Sequence, residues 1–278
     1  MVHPIYPCLW FDGKTDEAAQ FYTSILPDSQ ILSADSVVTM LSLCGKNVLL
    51  LNGGPQYTIK PSVSFFLLCE TRDELDALAE QLMQDGSAMI PVGNYPWSEY
   101  YGWVKDRFGM TWQLMLDDSA GQKDKLRPCL LFTGNQFGKA AEAMTLYTGL
   151  FDRSSVIESI PYPEGTEFAG TTQYAEFELN GYQLIAMDGP GEHAYGFDHG
   201  VSFVVNCDSQ EEIDHYWDTL TKNGEESMCG WLSDPYGVSW QIIPSSLPQL
   251  MSDPAKRDKV VAAFMKMRKF IIADLLAD

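Results

Sequence analysis

The residues best suited to chemistry in this chain come in matched pairs. Gly102-Trp103-Val104-Lys105-Asp106-Arg107-Phe108-Gly109-Met110-Thr111-Trp112-Gln113 is echoed by Gly230-Trp231-Leu232-Ser233-Asp234-Pro235-Tyr236-Gly237-Val238-Ser239-Trp240-Gln241. Trp103 and Trp231 each follow a glycine where a strand enters a hairpin, so each offers a flat apolar face. Gln113 and Gln241 close the segment with an amide that both donates and accepts hydrogen bonds. These four are candidate ligand-binding residues. Trp97 and Tyr100 join them from the aromatic stretch Gly93-Asn94-Tyr95-Pro96-Trp97-Ser98-Glu99-Tyr100-Tyr101, which the second copy lacks. Glu99, the carboxylate of that stretch, is the one candidate general base. Cys229, beside Gly230-Trp231, is a candidate cavity residue. It has no histidine near it in sequence, which argues against a nucleophile. The plainer reading of the strand aromatics is core packing.

Histidine offers little. His3 is terminal and His215 lies in a helical stretch. His193 and His199 flank a loop with Glu192 and Asp198, where an ad hoc metal set and an ordinary polar loop are both open.

Behind the paired residues stands an internal repeat. Pro7-Cys8-Leu9-Trp10-Phe11-Asp12-Gly13 returns as Pro128-Cys129-Leu130-Leu131-Phe132-Thr133-Gly134, and Val63-Ser64-Phe65 returns as Val201-Ser202-Phe203. The order is collinear, which gives one module written twice, at 1–118 and 126–245, joined by the polar stretch Asp118–Lys125 and followed by a tail at 246–278. Each copy reads as strand, helix, hairpin, loop, strand, helix, hairpin. Thr15 or Asp16 is expected to cap the first helix and Thr71 the second, and Ser209-Gln210-Glu211-Glu212 is a capping box. Gly45-Lys46-Asn47 and Asn180-Gly181 mark tight hairpin turns. The fold class is therefore α+β, built from βαβββ units with curved mixed sheets. In the tail, Val260, Val261, Phe264, Met267, Ile271 and Leu275 predict one amphipathic helix of about 20 residues.

These blocks together resemble the PhnB-like branch of the vicinal oxygen chelate superfamily, the branch described as 3-demethylubiquinone-9 3-methyltransferase. The superfamily also holds glyoxalase I, bleomycin-resistance proteins and extradiol dioxygenases. The resemblance implies curved sheets that enclose a small-molecule cavity. In metal-dependent members it implies His and Glu ligands at fixed strand positions. Counted onto this sequence, those positions fall near Pro7 and Pro128, near Ser62 and Gly200, and at Gln113 and Gln241, so no metal ligand set and no cofactor is expected. Methyl transfer is not expected either. A conventional S-adenosylmethionine site needs a strand, a glycine loop and a helix facing the ligand, and Gly53-Gly54 leads into Pro55–Pro61.

Charge narrows the field. With 18 Lys+Arg against 38 Asp+Glu the net charge is −20, which argues against broad contact with nucleic acid or anionic lipid. The tail from residue 254 carries +3, so the remainder is −23, and the tail is expected to dock on the protein itself or on a dimer mate. The start has no leader-like pattern, so a cytoplasmic location is expected. Six cysteines without a C-x-x-C pair read as reduced thiols, buried apart from Cys229. The expected function is small-molecule binding without the superfamily metal. The alternatives are a diverged metal-dependent lyase, isomerase or dioxygenase, and a drug-sequestering resistance protein. A homodimer is left open.

Overall fold

The computed structural model describes residues 3–117 and 124–275. The joining stretch therefore falls outside the described residues except for Asp124 and Lys125, as do residues 276–278 of the tail. The first repeat supplies β1 (Tyr6–Phe11), α1 (Thr15–Ile25), β2 (Gln30–Ala34), β3 (Val38–Leu43), β4 (Lys46–Asn52), β5 (Val63–Cys69), α2 (Arg72–Leu82), β6 (Ser87–Tyr95), β7 (Ser98–Lys105) and β8 (Thr111–Leu116). The second supplies β9 (Leu126–Phe132), α3 (Ala140–Leu150), β10 (Ser155–Pro161), β11 (Thr172–Leu179), β12 (Tyr182–Asp188), β13 (Val201–Cys207), α4 (Gln210–Thr221), β14 (Glu225–Glu226), β15 (Trp231–Ser233) and β16 (Ser239–Pro244).

Neither repeat closes its own sheet. The first sheet runs β14-β15-β16-β13-β1-β4-β3-β2, and the second runs β10-β11-β12-β9-β5-β8-β7-β6. Each takes its strands half from one repeat and half from the other. The seams are antiparallel: Cys8 faces Ser202 where β1 meets β13, and Ser64 faces Cys129 where β5 meets β9. The strands at the seams are apolar almost throughout, and β5 and β9 are buried along their whole length. Burial on both faces is what a continuous apolar run specifies.

Helices cover one face of each sheet. Ala18, Ala19 and Tyr22 of α1 are buried there, as are Ala143, Met144 and Tyr147 of α3. Thr71 caps α2 by accepting from the Glu74 amide, and Ser209 caps α4 by accepting from the Glu212 amide. The returning half of each box lands one residue early, with Glu74 and Glu212 accepting from the amides of Glu70 and Asp208. The expected cap on α1 is corrected: Thr15 is already helical, the cap position is Lys14, and no side chain bonds there.

Each repeat is pinned by a buried carboxylate at its last turn. Asp106 accepts from the Tyr22 hydroxyl, the Trp112 indole and the amides of Phe108 and Met110. Asp234 accepts the same four kinds of bond, from Tyr147, Trp240, Tyr236 and Val238. The turn, the first helix and the last strand thus share one acceptor. The cost is desolvation, which raises both carboxyls and brings Asp234 to about 6, against the opposing pull of the hydrogen bonds.

The expected single tail helix is corrected to α5 (Leu247–Ser252), α6 (Arg257–Phe264) and α7 (Ile272–Leu275). A continuous helix would turn the carbonyls of Met267 and Arg268 toward residues 271 and 272. They instead accept from the amides of Cys229 and Gly230, while the Ile272 amide donates to the Gln210 side chain. Phe270 is buried against Gly230, where a Cβ would lie 2.6 Å from its ring. Lys269 pairs with Asp214 at 2.8 Å and Asp218 at 3.1 Å on α4. The basic tail therefore docks on the acidic body of its own chain.

Two expectations follow. Because the native state holds the Asp234 proton more tightly than the unfolded chain does, that group's contribution to stability falls as pH rises from about 4 to about 6. A shift from 3.8 to about 6 corresponds to roughly 3 kcal/mol. Asp234→Asn will remove that part of the pH dependence of the melting temperature, whatever its absolute stability. High salt or Lys269→Ala will speed hydrogen exchange across residues 266–275 by roughly 3- to 5-fold, the size expected of an exposed ion pair.

Candidate ligand cavity

The face of the second sheet away from its helices curves around a cavity of about 740 Å³, within the range of ordinary small-molecule sites. Its walls come from different repeats. Strands of the first repeat contribute Phe66 from β5, Tyr101 and Trp103 from β7, and Gln113 and Met115 from β8, with Trp97 at the turn before β7. Strands of the second contribute Leu131 from β9, Glu158 and Ile160 from β10, Tyr174 and Glu176 from β11, and Met187 from β12. Alternation along each strand puts these side chains on one face. The buried members Phe66, Leu68, Tyr101, Trp103, Cys129, Leu131 and Ile185 form an apolar cluster separate from the main core.

A hydrogen-bonded chain runs across the cavity floor. The Tyr101 hydroxyl donates to Gln113 Oε1 at 2.7 Å, and Gln113 Nε2 donates to the Ser64 hydroxyl at 2.9 Å. Cys129 lies beside Ser64 and Gln113, and burial pushes its thiol up to about 12, which keeps it protonated and unreactive. In the second wall, buried Arg127 donates to Glu176 Oε1 at 2.8 Å, and the Tyr174 hydroxyl donates to the same oxygen at 2.6 Å. Asp188 is consumed structurally, accepting from the amides of Gly138, Ala140 and Thr172.

These contacts correct the strand register. The residues that meet Gln113 and Gln241 are not at Pro7, Pro128, Ser62 or Gly200. They are Ser64 with Cys129 in the second sheet, and Ser202 with Cys8 in the first, where Gln241 Nε2 donates to the Ser202 hydroxyl at 2.9 Å. The first-strand position moves by one residue and the central position by two. At both sites the side chains that meet across the sheet are a thiol, a hydroxyl and a carboxamide, a donor set poorly matched to a hard divalent ion. Among the described residues no three His, Cys, Asp or Glu side chains gather closely enough to hold a metal ion. His193 and His199 are parted: His193 lines the cavity, whereas His199 bonds Ser239 at the other sheet, where burial lowers its basicity.

The first sheet is built alike but carries a larger side chain at one place, where half-buried Trp10 also borders a separate cleft of about 700 Å³. Trp10 takes the place of Leu131. Its indole lies over Gly53, where a Cβ would come within 2.3 Å of the ring, and Nε1 donates to the Gly54 carbonyl at 2.7 Å. Trp10 also meets Trp231 and Tyr57 edge-on at 5.7 and 5.1 Å. At the second sheet Leu131 stands over Gly189 in the same way, with a smaller side chain.

The sequence candidates are thus divided. Trp97, Trp103 and Gln113 line the cavity. Trp231 and Gln241 sit in the first sheet. Cys229 is half-buried under the tail, 3.8 Å from the Met265 sulfur, and Cys44 is half-buried as well. Tyr100 faces α2, with its hydroxyl on Asp76 and its ring under Arg72. Glu99 is 77% exposed and pairs with Arg72 at 3.4 Å. Neither Glu99 nor Tyr100 is among the residues lining the cavity. Sequence reasoning missed Leu131, Tyr174, Glu158, Glu176 and Arg127, although the Trp10 and Leu131 mismatch between the repeats was a visible signal.

A family model described as 3-demethylubiquinone-9 3-methyltransferase matches residues 3–115 and again 124–243. Among solved structures, the PhnB protein of Bacillus cereus, described by the same activity, is 33% identical over 40% of this chain and 96% of its own, with a TM-score of 0.38. Glyoxalase I from Zea mays is 11% identical over 90% of this chain and 96% of its own, with a TM-score of 0.58, a likeness of fold. The search of curated proteins found no match. No helix among the described residues is long and apolar enough to cross a membrane.

Given its exposure, Glu99→Gln will leave ligand binding and any turnover unchanged within about twofold, a size typical of surface changes. Titration of both proteins with the same ligand checks this.

Proposed function

For a chain that belongs to the 3-demethylubiquinone-9 3-methyltransferase family through both of its repeats, we propose that the function is to bind a small molecule in the cavity of the second sheet without a metal ion. The observation that carries this reading is the cavity of about 740 Å³ with Phe66, Tyr101, Trp103 and Gln113 along one side. Its counterpart in the first sheet has a tryptophan, Trp10, where the cavity has Leu131. A chain that needed both cups only for stability would have no reason to keep one of them open. The two repeats differ at several places along this cavity, with Leu131, Phe66, Tyr101 and Glu176 where the other sheet has Trp10, Val204, Cys229 and Met40, which supports a role specific to it.

The donor chemistry argues against the metal-dependent alternative. A lyase, isomerase or dioxygenase of the superfamily kind would have to hold its ion with Cys129, Ser64 and Gln113. A hydroxyl and a carboxamide are weak neutral ligands, and among the described residues neither an imidazole nor a carboxylate stands beside them. The family description also fits poorly as an activity. β4 ends at Asn52, Gly53-Gly54 follows, and the next element is the strand β5 rather than a helix, so no helix N-terminus meets that glycine pair.

The chain itself suggests the test. Leu131→Trp copies into the second sheet what Trp10 does in the first. Binding of acridine, a neutral planar probe, is followed by quenching of tryptophan emission. The variant will weaken binding at least tenfold, or about 1.4 kcal/mol. Elemental analysis of protein purified without added ions will find no stoichiometric divalent metal. Equal binding by Leu131→Trp, or one tightly held divalent ion per chain, contradicts the reading.

A further inference from the structure

The cavity is aromatic on one side and acidic on the other. Its lining holds Asp117, Glu158, Glu176 and Asp188 but no lysine or arginine. Arg127, only 1% exposed, stands behind Glu176 and pairs with it. Glu158 and Glu176 therefore stand with one buried cation behind them at a space with apolar walls. Low-dielectric walls focus such a field rather than screening it.

The acidity belongs to this cavity and not to the repeat as such. Glu158 pairs in register with Glu176 across β10 and β11. The matching pair in the first sheet is Ser33 with Met40. Arg127 faces Phe66 at the seam of the second sheet, and the residue in its place in the first is Tyr6, which faces Val204. The sheet that carries Trp10 has apolar or neutral residues at these places. The sheet with the open cavity has charges.

The carboxylates are not equally committed. Asp188 is held by three backbone amides. Glu176 spends one oxygen on Arg127 and Tyr174. The side chain of Glu158, on the edge strand β10, has no hydrogen bond or ion pair among the described residues, and it lines the cavity beside Ile160 and across from the aromatic wall.

We propose that the cavity selects an amphipathic organic cation, with a flat apolar body against Phe66, Tyr101 and Trp103 and a protonated nitrogen near Glu158. This rests on the reading of the cavity as a ligand site and adds the chemical class. The aromatic faces reinforce the preference, because an indole or phenol ring attracts a cation placed over it. Anionic ligands such as carboxylates or phosphonates are disfavoured, since the lining among the described residues holds no lysine or arginine to compensate their charge.

The test compares three probes of one shape on the full chain at neutral pH and fixed ionic strength: 9-aminoacridine as the cation, acridine as the neutral form, and anthracene-9-carboxylate as the anion. The cation is expected to bind about tenfold tighter than acridine, and the anion more weakly than either, from a charge interaction at partly exposed separation. Glu158→Gln, on an exposed edge strand, is expected to cut the preference for the cation, read as the ratio of 9-aminoacridine to acridine affinity in the same variant, by roughly 3- to 10-fold. Equal binding of cation and neutral probe, or an unchanged preference in Glu158→Gln, overturns the ligand class while the cavity reading stands. Binding of none of the three overturns both.

Discussion

Two antiparallel seams, β1 against β13 and β5 against β9, are the contacts on which the rest of the molecule depends. Each repeat sends its first four strands into one sheet and its last four into the other, so neither repeat has a complete sheet of its own. The main apolar core runs through both repeats without a break. The seams also carry the polar cluster of each cup, because Ser64 faces Cys129 and Ser202 faces Cys8 across them. A single repeat would have half of each cup, with an open sheet edge where the other half belongs.

Once the seams are made, each sheet is free to specialise by substitution on its concave face. The backbone is common to both: Asp106 and Asp234 fix equivalent turns with equivalent partners, and Gln113 and Gln241 make equivalent bonds. The difference is in what stands on that frame. Trp10 packs its ring where Leu131 leaves space, and Gly53 is the residue that lets the ring in. Tyr101 closes the hydrogen-bonded floor of the cavity, while Cys229 at the equivalent point is drawn off toward the tail. The tail in turn bonds the loop that precedes Trp231, so the sheet with Trp10 is also the one braced from outside. On the proposed reading, bracing falls to one cup and binding to the other.

The fold was largely legible in the sequence, and the reasons are local. Cys44-Gly45 and Asn180-Gly181 both adopt positive φ at hairpin turns, and Thr71 and Ser209 cap helices as their spacing implies. The strand register was not legible. Strands buried on both faces show no alternation, so nothing in Pro7-Cys8-Leu9-Trp10 says which residue turns into the cup. The offset between neighbouring strands is a tertiary quantity, and it decided that Ser64, and not Ser62, meets Gln113. The break in the tail was invisible for a similar reason. The apolar period runs on through residues 265–271, and bonds from Cys229, Gly230 and Gln210, all distant in sequence, end the helix. Glu99 and Tyr100 were singled out by residue type, and the bulged course of β6 against β7 carries them to α2. The acidic wall was overlooked because Glu158 and Glu176 sit on strands that read as ordinary exposed edges when each repeat is taken alone.

The central claim is that one of two similar cups is the binding site, and a crystal structure of the protein grown or soaked with a bound small molecule tests it most directly. Density is predicted in the second sheet, bounded by Phe66, Tyr101 and Trp103 on one side and by Tyr174 and Glu158 on the other, with Trp10 still seated over Gly53 in the first. Density in the first sheet with Trp10 displaced, or a ligand held away from both cups, would contradict it.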